Sequence, residues 1–172
     1  MSIAGASLLP RVRWSLRAAF EQLAPEFALR QLSPITFDGG SAADIIDLYR
    51  PDTAFVVVGG NPASCPNRAP GDLKVSWKWE FSMRFSQHSI VQREYKQALA
   101  QLNFYMRQNN ARYGYILTNT EFAAVKRLDG RGRLAVSIGI PWVNGGEGQM
   151  SLLLALWYIG MLAAENTNRA FS

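Results

Sequence analysis

The chain has 172 residues, 48% of them hydrophobic and 18% charged, with 18 basic and 13 acidic side chains for a net charge of +5. That length suits one domain with one substantial core, and that composition excludes wholesale disorder. One cysteine, Cys65, and one histidine, His88, exclude an internal disulfide, a Cys-rich zinc site and any His–His metal site.

Leu16, Ala19, Phe20 and Leu23 recur at helical spacing, which predicts a helix over 11–24. Pro25 ends it and opens a short second helix over 26–32. Residues 33–41 are punctuated by Pro34, Gly39 and Gly40 and read as loop, with room for a strand between Leu32 and Phe37. Residues 42–49 read as one or two helical turns. RPDTAFVVVGG (50–60) is a strand closed by Gly59 and Gly60, and 61–71 is a loop with three prolines. DLKVSWKWEF then alternates, placing Asp72, Lys74, Ser76 and Lys78 on a wet face and Leu73, Val75, Trp77 and Trp79 on a packed one. Residues 89–108 are the clearest helix, with Val91, Tyr95, Ala98, Leu99, Leu102 and Met106 in one apolar stripe. Glu94, Gln97, Gln101, Tyr105 and Gln108 line a polar stripe beside it, and Asn109 and Asn110 stop the helix. ARYGYILTN and 121–128 are strands, the second joined by a hairpin turn at 129–132 to LAVSIGI. Ser151 caps a last helix that is apolar all round, which calls for burial inside the chain or at an interface.

The order is helix, strand, strand, helix, strand, strand, strand, helix: a mixed α/β fold with a central sheet. The longest apolar run, 152–164, is 13 residues, short of the ~20 that span a membrane. No Walker A loop, G-x-G-x-x-G or G-x-S-x-G elbow is present, and the N-terminal apolar run is too short for a signal peptide. A soluble protein of a reducing compartment, nuclear or cytoplasmic, is expected. Of the 18 basic residues 14 are Arg, whose planar fork matches phosphate, so a polyanionic partner is expected.

Two acids stand at the starts of neighbouring strands, Asp52 after Pro51, and Asp72 with Lys74 two residues on. Period two puts Asp72 and Lys74 side by side, and pairing of the strands brings Asp52 near Asp72. Converging carboxylates need a cation between them, and all-oxygen ligands suit Mg²⁺ or Mn²⁺. A neighbouring lysine can hold a water or stabilise charge building on a phosphate. Taken singly, each residue also fits a plain role: Asp in a turn, Lys in solvent.

Together, Pro51-Asp52, a gap of 19 residues and Asp72-Leu73-Lys74 resemble the signature of the PD-(D/E)XK nuclease superfamily. Gln101 to Tyr105 is similar to the Q-x-x-x-Y helix of its RecB-like and lambda-exonuclease-like branch. GDLKVSWKW with EYKQALAQLNFYMRQNNARYGYILTN resembles a set of mostly uncharacterised fungal proteins with this domain, from about Arg50 onward. The resemblance implies a restriction-endonuclease-like core of order αβββαβ, with a C-terminal hairpin and apolar helix added. It implies one domain over 1–172: an N-terminal helical part at 1–40, a catalytic core at 50–128 and a C-terminal strand and helix at 133–172. It implies Mg²⁺ (or Mn²⁺) on Asp52, Asp72 and the Leu73 carbonyl, a water positioned by Lys74, and backbone contacts from Gln101 and Tyr105. The superfamily's acid on the first helix falls on Glu21, with Glu26 second. Asp72 stands where Glu is commoner. Lys78, Arg107 and Arg112 are candidate phosphate contacts, with Lys126, Arg127, Arg131 and Arg133 extending the basic stretch. His88 reads as structural, and Trp77 and Trp79 as core.

The expected activity is metal-dependent hydrolysis of a phosphodiester, with DNA as the expected substrate and no membrane partner. Two alternatives stay open: an inactive nucleic-acid-binding module of the same fold, and an interaction domain that forms a homodimer through the C-terminal helix.

Overall fold

The computed structural model describes residues 3–167 and 170, and side chains from residue 10 onward. The ends of the expected 1–40 and 133–172 parts therefore lie outside the described residues. Among the described residues the α-helices are α1 (Ile3–Gln22), α2 (Ala24–Leu29), α3 (Ser89–Gln108) and α4 (Leu152–Ala164). The strands among them are β1 (Ile35–Gly39), β2 (Thr53–Val57), β3 (Gly71–Leu73), β4 (Tyr113–Leu117), β5 (Glu121–Arg127), β6 (Leu134–Val136) and β7 (Ile140–Pro141). They form one mixed sheet of order β1-β2-β3-β4-β5-β6, with β7 paired to the other end of β5. Only β3 and β4 run parallel, and α3 is the crossover that joins them.

The sheet lies between two helical layers. On one face α1 contributes Val12, Leu16 and Phe20, and α4 contributes Leu156, Ile159 and Ala163, over Phe37, Phe55, Tyr115 and Phe122. On the other, Ala98, Leu102 and Met106 of α3 cover Trp79, Ile116, Ala123 and Val125. Alternation along β4 sends Tyr115 and Leu117 to the α1–α4 face and Ile116 to the α3 face.

Local chemistry sets the ends. Gln31 (φ 55°) closes α2 and Asn110 (φ 48°) closes α3 in the left-handed conformation. In each case the next amide reaches back five residues, Leu32 to the Phe27 carbonyl and Ala111 to that of Met106. Ser151 Oγ accepts from Leu154 N and caps α4. Arg68 Nη1 donates to the last carbonyls of α4, Ala163 and Ala164, from inside the protein. One side of α4 is covered by the sheet and α1, while Leu153, Leu154 and Tyr158 face solvent. Burial within the chain thus accounts for one side of α4, through Leu152, Ala155, Leu156, Ile159 and Ala163. Among the described residues no helix is long and apolar enough to cross a membrane.

Several expectations need correction. The stretch at 33–41, read as loop with room for a strand between Leu32 and Phe37, holds that strand as β1 but further along, paired in register with β2 from Ile35↔Val57 to Gly39↔Thr53. The helical turns expected at 42–49 shrink to a 3-10 turn at Gly40–Ala42. The long alternating strand beginning at Asp72 ends at Leu73. Its partner β4 ends at Leu117, whose carbonyl takes Lys74 N; the next free amide, Ser76 N, is taken by Asn119 Oδ1. Val75 then accepts from Lys78 N and Trp79 N, and the chain turns. Past that point the two-residue period fails: Trp79 is fully buried, stacked on Tyr95, but Trp77 is 71% exposed. Asp72, expected on a wet face, is 2% exposed, because α3 lands on that face.

Candidate active site

The site lies where β2 begins and β3 ends, on the α3 side of the sheet. Thr53 pairs with Gly71 across the antiparallel β2–β3 contact. Asp52, one residue before β2, donates its N–H to the Gly71 carbonyl and accepts the Leu73 N–H on Oδ2 at 2.8 Å. That hairpin-like clasp brings Asp52 to Asp72 without a long strand. In the parallel register Asp72 sits opposite Ile116, so its side chain faces the α3 layer.

Gly71 fixes the strand from behind. A Cβ there would come within 2.2 Å of both Thr53 Oγ1 and the Tyr115 ring. Those two groups hydrogen-bond to each other, oxygen to oxygen at 2.5 Å, directly beneath the strand. A second support is Asn67, fully buried. Its Oδ1 accepts from Phe55 N, its Nδ2 donates to the Thr53 carbonyl, and its own N–H donates to Asn109 Oδ1. Asn109 Nδ2 in turn donates to the Tyr105 carbonyl, tying the end of α3 to β2.

A polar chain runs across the front. Lys74 Nζ lies 2.8 Å from Asp72 Oδ2 and donates to Gln101 Oε1 at 3.0 Å. Gln101 Nε2 donates to the Tyr105 hydroxyl at 2.9 Å. Gln101 and Tyr105 are one turn apart on α3 and share a face, as their spacing requires. Tyr105 itself is buried, on the covered flank and not the polar stripe.

The Asp72 carboxyl is pushed up to about 6. Burial is the main cause; Lys74 pulls the other way by hydrogen bond and charge, and the neighbouring Asp52 raises it again by repulsion and by accepting from the protonated form. Burial wins over the ion pair because the carboxylate has exchanged water for one lysine. The buried Asp72 Oδ2 is met by Lys74 Nζ at 2.8 Å. Two carboxylates this close repel each other, and a cation between them would relieve that repulsion.

Among the described residues there is no group of three or more His, Cys, Asp or Glu that could hold a metal ion. Two carboxylates nonetheless fit Mg²⁺, which keeps several waters and takes one or two carboxylates with substrate phosphate completing its shell. Asp52 spends one acceptor on Leu73 N–H, and a carboxylate has others to offer. Leu73, the expected carbonyl ligand, directly follows Asp72, and its N–H is held by Asp52 Oδ2.

The structure therefore brings together Asp52, Asp72, Leu73, Lys74, Gln101 and Tyr105. It does not bring the others. Glu21 is exposed on α1, which packs on the opposite face of the sheet; the charges acting on Asp72 are those of Lys74 and Asp52. The helix that carries Glu21 buries Val12, Leu16 and Phe20, and that stripe points Glu21 away. Arg107 is six residues beyond Gln101, about 120° around α3 at ~100° per residue, on the flank where Gly132 stands against Asn103. Arg112 precedes β4, at the opposite end of that strand from Asp72. Lys78 is exposed in the turn after Lys74. Sequence reasoning missed Gly71, Asn67, Asn109 and Asn119, which hold the site without touching its chemistry. Pro70-Gly71 just before D-x-K was the one visible signal.

No family model, no curated protein and no solved structure matches the chain.

Proposed function

We propose that this protein is a divalent-metal-dependent nuclease that hydrolyses phosphodiester bonds, with DNA as substrate. The observation that carries this reading is Lys74, held between the Asp72 carboxylate and the Gln101 amide, with Asp52 clasped beside them. The element order α1-β1-β2-β3-α3-β4 also agrees with the restriction-endonuclease-like core that the motifs imply.

Asp52 and Asp72 would hold Mg²⁺ or Mn²⁺ together with the Leu73 carbonyl. When bound, the ion would act as a Lewis acid toward phosphoryl oxygens and make water nucleophilic near neutral pH. The chain's own residues do the rest. Lys74 donates from a fixed position beside the scissile phosphate, where it orients water and stabilises developing negative charge. Gln101 fixes the lysine through its Oε1 and is itself fixed by Tyr105. Their polar hydrogens stand where the substrate backbone would run. Gly71 and the Thr53–Tyr115 pair keep the strand rigid, so the carboxylates need little rearrangement on binding.

The test is incubation with linear, circular and single-stranded DNA in Mg²⁺, in Mn²⁺ and in EDTA. Cleavage with either ion and none in EDTA is expected. Lys74→Ala should fall by about 10²–10³-fold, the usual cost of one preorganised donor. Cleavage in EDTA, or an unchanged Lys74→Ala rate, overturns the reading.

A further inference from the structure

Beside the polar chain, the exposed side of α3 carries an apolar cluster that the hydrolytic chemistry leaves unused. Ile46, Asp47, Leu48 and Tyr49 form a tight turn, closed by Tyr49 N–H on the Ile46 carbonyl at 3.0 Å. Its two central residues are left-handed, with φ of 53° at Asp47 and 64° at Leu48. Such a turn favours Asn-Gly, and a leucine there is strained. The turn is pinned to α3 all the same. Gln108 Nε2 donates to the Ile46 carbonyl at 3.3 Å, and the Tyr49 and Phe104 rings meet edge to face with centroids 5.2 Å apart. The result holds large apolar groups in water: Leu48 is 95% exposed, Tyr49 56% and Phe104 43%.

This cluster is continuous with the site. The Phe104 ring centroid is 6.3 Å from that of Tyr105, whose hydroxyl ends the Lys74–Gln101 chain. Tyr49 precedes Asp52 by three residues, so their Cα atoms lie at most about 11 Å apart. The two are thus close enough for one short stretch of a nucleic-acid strand to meet both. Arg50, exposed between them, offers a cation to the intervening phosphate.

We infer that Leu48, Tyr49 and Phe104 form a stacking platform for an unpaired nucleobase near the scissile phosphate. The substrate class is then single-stranded or frayed nucleic acid. The inference rests on reading Asp52 and Asp72 as the cleavage centre. An aromatic platform accepts any base by its π-face, and a base inside a closed duplex has no face to offer. Stacking of this kind is worth about 5- to 100-fold in affinity per base.

The test reads binding in EDTA, by fluorescence anisotropy, of a short labelled single strand and of a duplex closed by a loop at each end. A 2-aminopurine base in the strand reports stacking directly. The parent should bind the single strand at least about tenfold more tightly and quench the 2-aminopurine. Tyr49→Ala with Phe104→Ala should lose about tenfold for the single strand, lose the quench, and change closed-duplex affinity less than twofold. Leu48→Gly relieves the strained turn, so its Tm should hold or rise while single-strand binding still weakens, which separates lost stacking from misfolding. Equal parental affinity for the two forms, or variants that weaken both equally, would overturn the platform. If the parent cuts nothing with any metal but the variants still lose the single-strand preference, the platform stands and the nuclease reading falls. If it cuts and no preference exists, the platform alone falls.

Discussion

The two faces of the sheet solve different problems. Under α1 and α4 the face is closed by rings: Phe20 meets Phe55 edge-on at 6.3 Å, Phe37 lies 5.2 Å from Phe55, and Tyr115 stacks on Phe122 at 5.4 Å. Under α3 the core is Trp79 stacked on Tyr95, and at one end it gives way to Asp72, Lys74, Gln101 and Tyr105. The short strand β3 serves both faces by alternation. Gly71 and Leu73 turn to the aromatic side, and Asp72 to the other. The apolar face is thus the foundation on which a buried carboxylate can be held still.

That division predicts opposite responses to substitution on the two sides. The largest effect should come from the foundation. Phe55→Ala removes a fully buried ring that touches three others, and should cost about 3–5 kcal/mol in urea unfolding. A cost below about 1 kcal/mol would mean that this face does not carry the fold. Gly71→Ala should cost about 1–3 kcal/mol, since the methyl must displace both the Tyr115 ring and the Thr53 hydroxyl. It should also slow cleavage more than its stability loss explains, because Asp72 is the next residue.

On the site face the sign reverses. Folding raises Asp72 from its ordinary 3.8 to about 6, so the folded state holds the proton longer than the unfolded one. The contribution of this group is therefore most favourable below about pH 4, and is lost as pH rises through 6. Asp72→Asn should make the metal-free protein more stable at pH 7 by roughly 1–3 kcal/mol, and should remove that part of the pH dependence. Thermal unfolding between pH 4 and 8 checks this, and a destabilised variant would contradict it. The smallest effect is expected at Glu21→Gln, exposed on the far side of the sheet. Stability should move by less than about 0.5 kcal/mol, and Mg²⁺ affinity measured by calorimetry should not change.

Much of this fold could be read from the chain. Helix 89–108 matched its element in full, since its apolar stripe is strictly periodic and two asparagines follow. The pair Asp52 and Asp72 was legible because each stands at or next to a strand whose composition the sequence shows. Other features were hidden for physical reasons. Alternation groups Asp72 with Lys74 but does not say which face a distant helix will cover, so the burial of Asp72 was invisible. The end of β3 depends on where β4 stops and on Asn119, 43 residues further on than Ser76. Glu21 stands out only by its residue type on the first helix, and its direction is set by the stripe of Val12, Leu16 and Phe20. The turn at Ile46–Tyr49 carries no Gly or Asn, so nothing in its composition announced two left-handed residues.

The central claim is that Asp52 and Asp72 form the metal site of a nuclease, and the double variant Asp52→Asn, Asp72→Asn tests it most directly. The change keeps the side-chain size and moves the formal net charge from +5 to +7. Cleavage of single-stranded DNA in Mg²⁺ should fall by about 10³-fold or more, because neutral amides are poor Mg²⁺ ligands and the lost stabilisation is several kcal/mol. Binding of the same strand in EDTA should hold or tighten, as two charges that repel phosphate are gone. A double variant that still cuts at the parental rate would contradict the account.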